Sequence, residues 1–174
     1  METAVKTTWK IDTAHSEIAF KVKHMMISTV TGYFEDYNAE VNTTKEDFSD
    51  AEFSFTAQTA SINTKNADRD AHLKSDDFFN TKTYPEMKFT STSFDGTTLV
   101  GDLTIRDVTK KISLEVDFNG VVVDPYGQTK AGFEISGELN RKDFNLTWSA
   151  VTEAGKIVVS DKVKLQLNLQ FIKS

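Results

Sequence analysis

Asp12-Thr13-Ala14-His15-Ser16 places an acid, a base and a hydroxyl within five residues. These are the parts of a nucleophilic triad, but triad members are brought together by a fold and not by adjacency. A local turn held by the Asp12 and Ser16 side chains is the competing reading. The other histidines, His24 and His72, stand far from His15 and from each other, with no His-x-x-x-His or His-x-His pair. A zinc site wants three or four ligands, usually at tight local spacing, so no metal is expected. Arg69-Asp70-Ala71-His72 gathers charge in one short stretch. It reads as a solvated face, or as a polar gate at a cavity mouth in which the Arg69 fork meets a phosphate or carboxylate. Gly-x-Ser-x-Gly, Gly-rich phosphate loops and cysteine are all absent, and 26 acidic residues single out no pair for glycoside chemistry. No catalytic residue and no cofactor is predicted.

The elements that would position these groups are strands. Val163 to Phe171 alternates apolar and polar residues without exception, and Ile18-Phe20-Val22, Ile112-Leu114-Val116-Phe118 and Ala131-Phe133-Ile135-Gly137-Leu139 do the same. Side chains of a strand point alternately to opposite faces, so each stretch has one oily face that must be enclosed. Strands are expected at Trp9 to about Met26 (broken near Thr13), Thr31–Asn42, Ala51–Ser61, Met87–Phe94, Leu99–Ile105, Ile112–Val123, Lys130–Asn140, about Leu146–Val151 and Ile157–Phe171. Alternation stops between Lys65 and Lys74, where a short helix capped by Asn63 or Thr64 is expected. Asp95-Gly96 and Asp124-Pro125-Tyr126-Gly127 are turn signals, and hairpin-length links imply antiparallel neighbours. That gives eight or nine strands, which must enclose their oily faces as a sandwich or a closed barrel; eight close into a barrel just wide enough for packed side chains or one small ligand. Thirteen Phe share the inner faces with Ala51, Ala57, Gly101, Ala131 and Gly137. Those small residues either let large ones pack or leave a tunnel, and both readings stay open.

Composition sets outer bounds. A length of 174 residues with no linker or repeat is read as one domain over 1–174. The net charge of -6 disfavours nucleic acid, and Lys110-Lys111 and Arg141-Lys142 read as ordinary strand-end charges. No apolar run is long enough for a transmembrane helix. The start METAVKTTWK lacks a secretory h-region, which places the protein in the cytoplasm, or in the periplasm if a signal was removed.

Taken together, the segments resemble one family. Trp9-x-Ile11-Asp12-x-x-His15-Ser16-x-Ile18-x-Phe20-x-Val22-x-His24 is similar to the opening of the YceI-like family, the polyisoprenoid-binding bacterial domain. Ser61-Ile62-x-Thr64, Arg69-Asp70-x-His72-Leu73-x-Ser75-x-Asp77-Phe78-Phe79, Tyr84-Pro85, Phe89-x-Ser91, Gly101-x-Leu103-Thr104-Ile105, Val108-Thr109, Gly132-Phe133 and Arg141-x-Asp143-Phe144 follow in the family's order. The sequence departs from the family at Asp107, where glycine is usual, at Lys111, often proline, and at Asn145, which replaces the glycine of Asp-Phe-Gly. Asn is the non-glycine residue that best tolerates a left-handed backbone, so that last turn is expected to persist.

The resemblance implies an all-β fold, an extended eight-stranded antiparallel lipocalin-like barrel with one short helix. It further implies a homodimer and non-catalytic binding, carriage or storage of a polyprenyl or fatty-acyl lipid in an apolar tunnel. The expected lining is Ile18, Phe20, Val22, Phe34, Phe53 and Phe55 from the first half of the chain. Phe89, Leu103, Ile105, Leu114, Val116, Phe133, Ile135, Trp148, Val163, Leu165 and Leu167 complete it. Arg69, His72, His15 and His24 are the candidates for the polar end of the ligand. Two rivals remain, an enzyme using His and Asp groups at the barrel mouth and an interaction module with a filled barrel.

Overall fold

The alternating segments pair into one antiparallel sheet that closes on itself. The computed structural model describes residues 5–149 and 158–174. Its strands are β1 (Thr7–Ile11), β2 (Glu17–His24), β3 (Ser28–Phe34), β4 (Tyr37–Thr43), β5 (Glu52–Gln58), β6 (Ile62–Asn63), β7 (Glu86–Phe94), β8 (Thr98–Ile105), β9 (Val108–Val123), β10 (Thr129–Asn140) and β11 (Lys162–Lys173). Helix α1 spans Ala67–Lys74. β11 pairs with β1 at one end and β2 at the other, so β1 and β2 form one stave interrupted by the short turn Thr13–His15. β4 and β3 pair with β1 and β2 respectively and make the next stave, and β5 with β6 make the third. With β7 to β11 the described residues form eight staves, a closed antiparallel barrel with one α-helix.

The differences from the expected elements have local causes. The stretch Thr31–Asn42 splits at Glu35-Asp36, because its first half pairs with β2 and its second with β1. The third strand stops at Gln58, where Thr59 turns the chain by donating through Oγ1 to the carbonyls of Tyr84 and Pro85. The helix is capped by Asn66, whose Oδ1 accepts from the Arg69 amide; Thr64 instead receives Arg69 and supplies Asp70. Leu146–Ser149 form no strand, and the remainder of that expected strand, with the start of the last one at Ile157, lies outside the described residues. Asn145 takes φ 61°, the left-handed conformation that its residue type tolerates. At the β8–β9 turn Arg106, not Asp107, carries the positive φ.

One end of the barrel is plugged by aromatic rings. The loop between β4 and β5 brings Phe48 inward, where its ring centroid lies 5.1 Å from Trp9, 5.0 Å from Phe118 and 5.2 Å from Phe133. Phe133 also meets Phe53 and Phe171 edge-on. Offset and edge-to-face rings at these distances pack without a void. Elsewhere on the inner face glycine makes room for a large neighbour, since a side chain at Gly32, Gly101 or Gly137 would collide with Phe20, Phe89 or Leu114.

Candidate ligand-binding cavity

Above the plug, packing fails to fill the barrel. A cavity of about 480 Å³ remains, within the size range of small-molecule sites. Its wall is the inner face of the staves: Ile18, Phe20 and Val22 of β2, Phe34 of β3, Phe53 and Phe55 of β5, and Phe89 of β7. Leu103, Ile105, Leu114 and Ile135 continue the wall around β8, β9 and β10, and Val163, Leu165 and Leu167 of β11 close it. Trp148 stands at its edge. Val116 and Phe133 do not line it. Both are buried core, and Phe133 belongs to the plug, so period-2 alternation put them on the right face but not at the right height.

The roof comes from the segment without strand periodicity. Leu73 of α1 and the following Phe78 and Phe79 cover the opening, with Phe79 edge-on to Phe34 at 5.7 Å. Leu99, Met87 and Leu139 also line the space; Met87 lies two residues along its strand from Phe89, and Leu99 and Leu139 lie four from Leu103 and Ile135, so each was legible from the alternation. Phe78 and Phe79 were not, because no period places them.

Polar side chains meet the cavity at the roofed end. Arg69 and His72 of α1 and His24 of β2 all border it. Arg69 donates through Nε to Thr64 Oγ1 at 2.8 Å and through Nη2 to the Thr64 carbonyl at 2.6 Å. Among the described residues its Nη1 has no protein acceptor within hydrogen-bond reach. His72 Nε2 is 2.8 Å from Asp77 Oδ2, and its ring stands edge-on to Trp148 at 4.9 Å. His15 is elsewhere: its ring is exposed on the outer side of β10 and β11, with Nδ1 2.8 Å from Asp12 Oδ2. Burial pushes the Asp12 carboxyl up, but hydrogen bonds from His15 and Lys130 outweigh it and hold the group below the usual carboxylate range. Asp12 also accepts from the Ala14 amide, while Ser16 Oγ bonds the Gln170 backbone, so this trio holds a turn. Among the described residues no three His, Cys, Asp or Glu side chains converge for a metal.

One polar residue at the cavity was read otherwise from sequence. Arg141 is no strand-end surface charge; it is 3% exposed and borders the cavity. Its guanidinium donates to the carbonyls of Leu146, Trp148, Val159 and Ser160, and burial pulls its pKa down against the counter-pull of Asp161. Carbonyls left unpaired where β10 ends call for such a multiple donor.

The pattern of the YceI-like domain matches residues 9–171. The chain belongs to the YceI-like family. A UPF0312 protein of Staphylococcus epidermidis is 35% identical over 166 residues, covering 95% of this chain and 97% of that one. One from Staphylococcus aureus strain MSSA476 is 36% identical with the same coverage. Among solved structures, the YceI protein of Campylobacter jejuni is 34% identical, covers 87% of this chain and 90% of its own, and superposes with a TM-score of 0.73. Burkholderia cenocepacia BcnA shares the fold at 21% identity and a TM-score of 0.76, covering 92% and 98%. A polyisoprenoid binding domain from Saccharophagus degradans shares it at 15% and 0.71, covering 95% and 98%. The YceI-like barrel therefore accounts for the closed sheet and the roofing helix. Among the described residues no helix is long and apolar enough to cross a membrane.

Proposed function

We propose that this protein binds a long-chain amphiphile, a polyprenyl or fatty-acyl lipid, without chemical change, and carries or stores it. The observation that supports this reading is the cavity of about 480 Å³, apolar along its wall and polar at the roofed end. The fold it shares with a polyisoprenoid binding domain agrees with that reading. The tail lies along Phe20, Leu103, Leu165 and their neighbours, and the head meets Arg69, His72 and His24. Each buried methylene contributes about 0.8 kcal/mol, partly offset by ordering the tail. Affinity then rises with chain length until the space is full. The Nη1 donors of Arg69 suit a phosphate or carboxylate head. In the same reading the barrel is a single domain over 1–174, works as a homodimer and resides in the cytoplasm or the periplasm.

The rival is an enzyme that uses the His72–Asp77 pair at the cavity edge. That pair has the form of a base and its orienting carboxylate, but the Ser75 hydroxyl beside it donates to the His72 main-chain carbonyl and not to the ring. Native mass spectrometry of protein purified from its source, followed by titration with polyprenyl phosphates and fatty acids, tests the proposal. Co-purifying lipid and saturable uptake are expected. Protein that is lipid-free and indifferent to both probe classes overturns it.

A further inference from the structure

The hairpin joining β2 to β3 forms one flank of the cavity at its roofed end. Val22 and Val30 face each other across it and line the cavity, and the chain turns a few residues further on. The turn is Met25-Met26-Ile27, with Met26 58% and Ile27 75% exposed. Met25 and Met26 have φ of 50° and 59°, both left-handed. The Ile27 amide donates to the His24 carbonyl, so Met25 and Met26 are the central pair of a β-turn, positions that favour Asn-Gly because a Cβ is costly at positive φ. Here two methionines stand where cheaper turn residues would fit, and Met26 with its neighbour Ile27 is presented to solvent. The tip is also held in place, since the Met25 amide donates to the Val158 carbonyl at 2.8 Å and Ser160 pairs with Lys23.

Behind the tip the outer face carries three lysines, with Glu138 opposite Lys164 on the β10 side. Lys21 stands directly opposite Lys164 across β2 and β11, a like-charge pairing that costs stability. Lys23 follows on the same face, and all three are exposed. Among the described residues none of them forms an ion pair. A second apolar hairpin tip, Val121–Val123, lies at the plugged end, remote from the cavity.

We propose that the Met25–Ile27 tip, backed by Lys21, Lys23 and Lys164, docks the cavity mouth onto an anionic lipid bilayer. This rests on the lipid-carrier reading and gives it a route for loading and release. Apolar side chains enter the headgroup boundary while lysines meet lipid phosphates, the general logic of interfacial anchoring. The net charge of -6 opposes long-range attraction, so this basic patch must act at short range.

Flotation of the full chain with phosphatidylcholine–phosphatidylglycerol vesicles tests docking. Uptake of a pyrene-labelled fatty acid in vesicle-free buffer separately tests the cavity. The double variant Met25→Asn, Met26→Gly installs favoured turn residues. It is expected to melt no lower than wild type, to take up the probe, and to float at least about tenfold less. Lys21→Gln with Lys164→Gln removes a repulsion and is expected to weaken flotation roughly fivefold per lysine. Val122→Ser at the other hairpin should change nothing. Probe uptake by a wild type that does not float overturns docking alone, and assigns the tip to a protein partner. Undiminished flotation of both variants also overturns docking. Flotation without probe uptake overturns the carrier reading alone.

Discussion

Arg141 donates to the main-chain carbonyl of Trp148 at 2.7 Å, so a buried charge at the end of β10 sets where the cavity-edge indole stands. Arg141→Met is expected to destabilise the fold by about 3–5 kcal/mol, since several carbonyls lose their donor at once. Arg141→Lys should rescue little, because an ammonium lacks the planar fork. Urea unfolding of the two variants measures both effects.

Asp50 accepts hydrogen bonds from the Thr43 and Thr44 hydroxyls and from the Thr44 amide, which lower its pKa to about 2. Its folded pKa lies below its unfolded value, so its stabilisation is present at neutral pH and is lost as pH falls from roughly 5 through about 2. Asp50→Asn should flatten that acid limb and cost about 1 kcal/mol at pH 7, a figure discounted for the exposure of the site. Thermal melts between pH 2 and 7 read the difference.

A Cβ at Gly32 would lie 2.2 Å from the Phe20 ring, whereas one at Gly101 would also lie 2.6 Å from the Thr90 main-chain oxygen. In Gly32→Ala the ring can yield into the cavity. A modest stability loss of about 1–3 kcal/mol is expected, with a shorter longest-accepted tail. Gly101→Ala should cost more, because backbone cannot yield. A fatty-acid chain-length series beside melting curves separates the two.

Leu165 lines the cavity and Phe133 sits in the plug. Leu165→Trp should fill the cavity and abolish tail uptake without loss of melting temperature. Phe133→Ala should lose about 3–5 kcal/mol of stability. If Leu165→Trp binds lipid as wild type does, the tail lies elsewhere.

Arg69→Met tests the head site. Uptake of phosphate- or carboxylate-headed amphiphiles should weaken about tenfold, with long-chain alcohols unchanged. Equal weakening of all three would assign Arg69 to holding Thr64 alone.

The sequence by itself determined the barrel and its inner faces. Period-2 alternation is a local property of extended backbone, so Ile18, Phe55, Leu103 and Leu165 could be assigned to the interior before any fold was seen. Local turn chemistry was equally legible, as at Asn145 and in the Asp12–Ser16 turn. Height along the barrel was not, because alternation says which face a residue takes and nothing of what stands opposite. Only the tertiary structure separated Phe133, edge-on to Phe48 in the plug, from Leu165, facing open space. It alone brought Arg69, His72 and His24 to one cavity, left His15 on the outer surface, and buried Arg141 among carbonyls from segments distant in the chain. Those outcomes depend on long-range pairing and on where packing runs out, which no local pattern encodes.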